Sequence, residues 1–189
     1  MGNREDLLAG ARSCLEEKGY LRTTVRDIAS ASRVSMAAIG YHFGSREALL
    51  NQALFAAMDE WAAGSGRLSG QGETAEERYT DTWNRKIADF RAMRWLWIAS
   101  VEAFVHAQSS PELLAVLAEG QRRNRRMVAA GLRGVPLEEV TEEDVRALGS
   151  VHLALLSGVM VQALTDPEQA PTGSELAQGL RAMAELLES

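Results

Sequence analysis

Apolar side chains recur along this chain at helical spacing, and no run alternates with the period of two that a half-buried strand requires. Leu8, Ala11 and Leu15 form one stripe within residues 3–18, with Leu7 and Cys14 at its edge, and Gly19 supplies the stop. Thr24 opens a second helix. Its hydroxyl can accept from a free first-turn amide, and Asp27, three residues on, can complete a capping box. That helix ends near residues 31–32, and Ser35 is the N-cap of a third that runs to Phe43. Gly44 ends the third helix and Ser45 caps a fourth, which carries Leu49, Leu50, Leu54, Phe55 and Met58 up to Trp61.

Residues 64–72, GSGRLSGQG, read as a linker. Five more helical patterns follow, over 73–92, 94–108, 111–133, 142–165 and 174–188. Their ends carry chemical marks: Pro111 at a start, Gly134 with Pro136 at a stop, Thr141 with Asp144 as a capping box, Asp166-Pro167 at another stop, and Ser174 as the last cap. The predicted fold is all-α, with about nine helices. It divides into residues 1–50 and residues 51–189.

A chain of 189 residues, 46% apolar and 24% charged, can bury a core and does not read as disordered. Its one cysteine, Cys14, rules out a disulfide framework and fits a reducing, cytoplasmic setting. Residues 1–20 mix charges with short apolar clusters, unlike a secretory signal. Residues 147–164 raise the question of a membrane span. Ser150, His152, Ser157, Gly158 and Gln162 interrupt them and no basic flank borders them, so a buried soluble helix is expected and no membrane partner.

The formal charge of −6 argues against a nucleic-acid partner until it is divided along the chain. Residues 1–50 hold seven basic and six acidic side chains, whereas 51–189 hold thirteen and twenty. Within 22–46, Arg22, Arg26, Arg33 and Arg46 face Asp27 alone, a balance of +3. This basic segment coincides with the two short helices joined by a three-residue turn. Small Ala29 lets them pack closely, and Ile28, Val34 and Ile39 form their shared core. The outward face of the second is left with Met36, Ala37, Gly40, Tyr41 and His42. Small side chains let such a helix enter a major groove, and Tyr41 and His42 can donate to phosphates or base edges.

Gly19-Tyr20, Thr23-Thr24-Val25-Arg26-Asp27-Ile28-Ala29, Val34-Ser35, Tyr41-His42-Phe43 and Ser45-Arg46-Glu47-Ala48-Leu49-Leu50 follow in order within residues 5–52. In these the chain resembles the TetR family of bacterial transcription regulators. The resemblance implies a homodimer on a palindromic double-stranded DNA operator, a small-molecule effector, and most often repression. It implies that Thr24 and Arg26 meet the DNA backbone, that Ser35, Met36, Ala37, Ala38, Tyr41 and His42 line the recognition helix, and that Arg46 reaches a phosphate. Arg33 occupies the place of the family's turn glycine and adds a charge beside the DNA. Gly40 stands where the family usually has an aromatic residue.

The rest of the chain matches the family in layout. Trp83, Phe90, Met93, Trp95, Trp97 and Phe104 fall within 22 residues of a chain only 6% aromatic, giving adaptable contact area for a ligand. Trp83, Phe90, Met93, Trp97 and Phe104 are the candidate effector contacts, with Met58 and Trp61 placed to couple them to the DNA-binding unit; each can equally be core. Arg122, Arg123, Arg125 and Arg126 point in different directions and read as a solvated face paired with carboxylates. Residues 142–165 are apolar nearly all round and need cover on two sides. With the stripe Leu176, Leu180, Met183 and Leu187, they suggest half of an intersubunit four-helix bundle.

Enzymatic chemistry finds little purchase. Glu102 and His106, one turn apart, are a lone metal-like pair, and there is no glycine-rich phosphate loop, paired nucleophile and base, or zinc cysteine set. No catalytic residue, metal or cofactor is expected. The alternatives to a regulator are an all-α protein-interaction module or an enzyme without DNA binding.

Overall fold

The computed structural model describes residues 2–64 and 72–189, so most of the predicted linker, 65–71, lies outside the described residues. Among the described residues there are nine helices and no strand: α1 (Asn3–Lys18), α2 (Val25–Ser32), α3 (Met36–Phe43), α4 (Arg46–Gly64), α5 (Ala75–Ala92), α6 (Arg94–Ala107), α7 (Pro111–Arg133), α8 (Glu142–Thr165) and α9 (Gly173–Glu188). The all-α reading holds.

The chain forms two compact units, residues 1–63 with 93–114, and residues 64–92 with 115–189. In the first, α1, α2, α4 and α6 bury Leu7, Leu15, Ile28, Leu49, Leu50, Leu54 and Leu96 almost completely. Leu7 and Cys14, expected at the edge of the α1 stripe, are inside it, while Leu8 is half-buried. The cause is that α1 is covered by more than one neighbour, which widens its buried arc to take in Leu7, Gly10, Ala11, Cys14 and Leu15.

In the second unit, α5 packs on α8 and α9 around Trp83 and Phe90, both fully buried. Asn84 Oδ1 accepts from the Gly173 amide at 2.8 Å, tying α5 to the start of α9. A smaller cluster of Ala129, Ala130 and Val140, flanked by Val135 and Val145, closes the turn between α7 and α8. Two boundaries depart from expectation. Ser174 does not cap α9; Thr172 does, because Glu175 stands three residues after Thr172 and completes its capping box. And α8 is not one regular helix, since Val145–Gly149 form a π turn near its start.

The apolar helix is also less covered than its sequence implies. By length and composition α8 could cross a membrane, yet only 22% of its most apolar stretch is buried within the chain. Val151 and Val161 on α8, and Met183, Leu186 and Leu187 on α9, are all more than half exposed.

Candidate nucleic-acid interface

Residues 19–46 are held by bonds that the short helices could not supply alone. Thr24 caps α2: its hydroxyl accepts from the Asp27 amide at 3.2 Å and the Asp27 carboxylate accepts from the Thr24 amide at 2.8 Å. Lys18, at the end of α1, also pairs with Asp27. With Thr24, it holds the Asp27 carboxyl well below the usual carboxylate range. α2 is thereby anchored to the end of α1.

Arg33 links α2 to α3 in the left-handed conformation (φ 58°, ψ 28°), the one such non-glycine residue among those described. Ser35 occupies the N-cap position of α3, but its hydroxyl makes no capping bond. α3 turns Ile39 and Phe43 inward. Its other face is open: Tyr41 is 85% exposed and Met36 51%, Ala37 and Gly40 are exposed, and Ala38 and His42 are half-buried. The Tyr41 and His42 rings meet edge to face at 4.9 Å. Thr24, Arg26 and Arg33 are exposed as well. The accessible residues of α2, α3 and their turn thus include a hydroxyl, two guanidiniums, a phenol and an imidazole along with small side chains, a chemistry suited to phosphates and groove edges.

Arg46 is placed differently. Its side chain is only 19% exposed. Its guanidinium donates to the carbonyls of Thr23, of Tyr20 at 2.6 Å and of Leu21 at 3.4 Å, and pairs with Glu47 at 2.7 Å. It closes the segment between α1 and α2. Glu102 of α6 grips the same segment, accepting from the Tyr20 amide at 2.7 Å. Its spacing from His106 suggests only half of a metal pair, although it is the one carboxylate in α6. Among the described residues no three metal-binding side chains converge.

The predicted aromatic set is divided between the two units. Trp61 and Trp97 are buried in the first and meet edge to face at 4.7 Å. Met58 and Met93 of that unit are half-buried, and Phe104 is 52% exposed. In the second, Trp83 lies 5.1 Å from the His152 ring and 6.2 Å from Tyr79, and Phe90 is buried. Two polar groups that the sequence pattern does not single out join them, Lys86 and His152, both 3% exposed. Burial pushes Lys86 down to about 8; burial, and then the Lys86 charge, push His152 down to about 4. The one signal in the sequence is that Lys86 is one of only two lysines in the chain.

Residues 7–53 match the family described as "Bacterial regulatory proteins, tetR family", and residues 74–187, well over half of the chain, match "Tetracyclin repressor-like, C-terminal domain". The chain belongs to the TetR family. Among curated proteins, the HTH-type transcriptional repressor AcnR of Corynebacterium efficiens is 43% identical over 49 residues, and AcnR of Corynebacterium glutamicum 45% over 47. The match covers about a quarter of this chain and of those relatives' length. Solved structures share the TetR fold over nearly the whole chain. A transcriptional regulator from Pseudomonas aeruginosa PAO1 has a TM-score of 0.70 at 20% identity, covering 98% of this chain and 89% of its own. A regulator from Saccharomonospora viridis, solved in complex with choline, has a TM-score of 0.66 at 22% identity, covering 96% and 95%.

Proposed function

We propose that this protein is a DNA-binding transcriptional repressor that leaves a palindromic operator when a small-molecule effector binds. The observation that carries this reading is the open face of α3, where Tyr41 stands 85% exposed beside Met36, Ala37 and His42. Residues 1–50 are assigned to DNA and residues 51–189 to effector and dimer contacts. Thr24, Arg26 and Arg33 flank the groove-facing residues Ser35, Met36, Ala37, Ala38, Tyr41 and His42. Arg46, its donors taken by backbone carbonyls, supports this surface from behind. Met58, Trp61, Trp83, Phe90, Met93, Trp97 and Phe104 remain the candidate effector contacts. An effector releases DNA only by binding the DNA-incompetent state more tightly.

The bare faces of α8 and α9 support a homodimer through these two helices, since Val151, Val161, Met183, Leu186 and Leu187 leave an apolar surface on the chain. A second copy covers that surface without any membrane and places two recognition helices at half-sites about 34–36 Å apart. The cytoplasm, where the DNA lies, is the expected location.

The test is fluorescence anisotropy with DNA flanking the protein's own gene, beginning at about 50 mM salt. Saturable binding that weakens with salt and leaves two protomers on one site is expected. Failure to bind while the protein remains folded and dimeric would overturn the DNA reading and favour the interaction module.

A further inference from the structure

The second unit contains a cleft of about 500 Å³ between α7 and the start of α8. Arg122, Arg123, Arg125 and Arg126 line it from α7, and Arg146 and Ser150 from α8. The run QRRNRR reads in sequence as charges spread in several directions. At about 100° per residue, however, positions 122, 123, 125 and 126 occupy less than half of a helix's circumference. The fold then adds Arg146 opposite them.

Carboxylates answer only part of this charge. Glu119 pairs with Arg122 at 2.6 Å, and Glu142 pairs with Arg126. Among the described residues, Arg125 and Arg146 have no carboxylate partner, and the buried Nε of Arg125 has no hydrogen-bond partner. The Arg125 Nη2 reaches only Gln121 Oε1, at 3.3 Å. Five arginines face two glutamates here, a balance of +3, inside a segment (51–189) whose own balance is −7. Chance placement of thirteen cations among twenty anions does not favour such a concentration.

The backbone at the cleft is specialised as well. The π turn Val145–Gly149 carries Val145 and Arg146 to its lining. α7 approaches so closely that a Cβ at Gly149 would stand 2.4 Å from the Arg125 carbonyl oxygen. Glycine is required for that contact. π turns are rare and are found disproportionately at functional sites.

We propose that this cleft binds a multiply charged small anion, bearing phosphate or carboxylate groups, through Arg125 and Arg146. Guanidinium forks suit both groups, because two parallel N–H donors match two oxygens. Like-charged arginines crowded in one cleft repel one another, and an anion converts that cost into attraction. In its regulatory role this site takes an anionic effector separately from the aromatic contacts named above, and to that extent it rests on the function proposed above; anion binding itself does not require DNA.

The experiment is calorimetric titration of the full chain with inorganic pyrophosphate and, separately, with succinate, at ionic strength matched with sodium chloride. Saturable binding of one anion per protomer is expected for one probe, and which probe binds distinguishes phosphate from carboxylate. Arg125→Gln and Arg146→Gln should each weaken it at least ~10-fold, Arg125→Lys should recover only part, and Arg22→Gln should leave it unchanged. Circular dichroism and sedimentation should show the variants folded and associated as before. No saturable binding of either probe, or equal binding by the Arg125→Gln/Arg146→Gln double variant, overturns the proposal. So does loss of self-association in that variant, since the arginines then face a second copy. Because no DNA is present, failure here leaves the operator reading standing, and failure to bind DNA leaves the anion site standing.

Discussion

The carboxylate of Glu102 accepts the backbone amide of Tyr20 at 2.7 Å, across 82 residues of sequence. It also takes the Leu21 amide at 3.3 Å, and Gly19, at φ 81°, presents no Cβ where one would stand 3.1 Å from a Glu102 oxygen. A helix outside residues 1–50 thus holds the chain just before α2. Hydrogen bonds to a charged group contribute about 1.5–3 kcal/mol. Glu102→Gln should therefore lower the melting temperature by several degrees. If α6 transmits effector binding, it should also reduce the effector's influence on DNA affinity. An unchanged melting temperature in calorimetry would show that this bond carries no stability.

Arg46 grips the same segment, so its removal should have two consequences. Arg46→Ala should lower the melting temperature and weaken operator binding together, because the carbonyls of Thr23, Tyr20 and Leu21 lose their donor. Arg46→Lys should restore only part of both, since an ammonium cannot reproduce the planar fork. A stable Arg46→Ala protein that fails only in DNA binding would return Arg46 to direct phosphate contact.

Tyr41 predicts the opposite pattern. At 85% exposure it contributes little to folding, so Tyr41→Ala should leave the melting temperature nearly unchanged. A lost base or phosphate contact costs about 1–3 kcal/mol, or roughly 5- to 150-fold in affinity. Anisotropy with operator DNA checks this, and undiminished affinity would remove Tyr41 from the interface.

Gly40 can be tested by addition. A Cβ there meets no heavy atom within 4 Å, so Gly40→Ala should stabilise the protein by about 1 kcal/mol through helix propensity alone. Gly40→Tyr should fit as easily and raise DNA affinity by supplying an aromatic group to the open face of α3. Reduced affinity in the tyrosine variant would mean that the DNA approaches too closely for a side chain there.

Features set by local chemistry are legible in the sequence. Thr24 with Asp27 and Ser45 before α4 are caps, and Pro111 is a helix-starting residue, all written within four residues, and helical periodicity locates most of the cores. Features set by distant partners are not. Nothing near Arg46 announces that its donors are spent on residues 20–23, and nothing near Glu102 announces Tyr20. The apolar α8 reads as a doubly covered helix, yet apolar composition does not specify whether the same chain or another provides the cover. Arg122, Arg123, Arg125 and Arg126 share less than half of a helix's circumference by spacing alone, but only the fold brings Arg146 to face them.

Lys86 and His152 make stability depend on pH in two separate windows. His152 has its folded value lowered from 6.5 to about 4, so between these the unfolded chain binds a proton that the folded chain refuses. Stability is therefore lost as pH falls through that window, by up to about 3 kcal/mol. Lys86 is lowered from 10.5 to about 8, so here too the unfolded chain holds the extra proton, and stability rises as pH climbs from 8 to 10.5. The carboxyls held low by partners, such as Asp27 and Asp144, lose their contribution at more acid pH and leave the His152 window distinct. Denaturant unfolding across pH should show both slopes. His152→Gln should flatten the acid one and Lys86→Met the alkaline one. Lys86→Met should also raise the pH at which His152 titrates, because the Lys86 charge is one of the two forces that depress it. An acid slope that survives His152→Gln would assign it to other groups. An unmoved His152 titration in Lys86→Met, followed by NMR, would show that the two side chains do not sense one another.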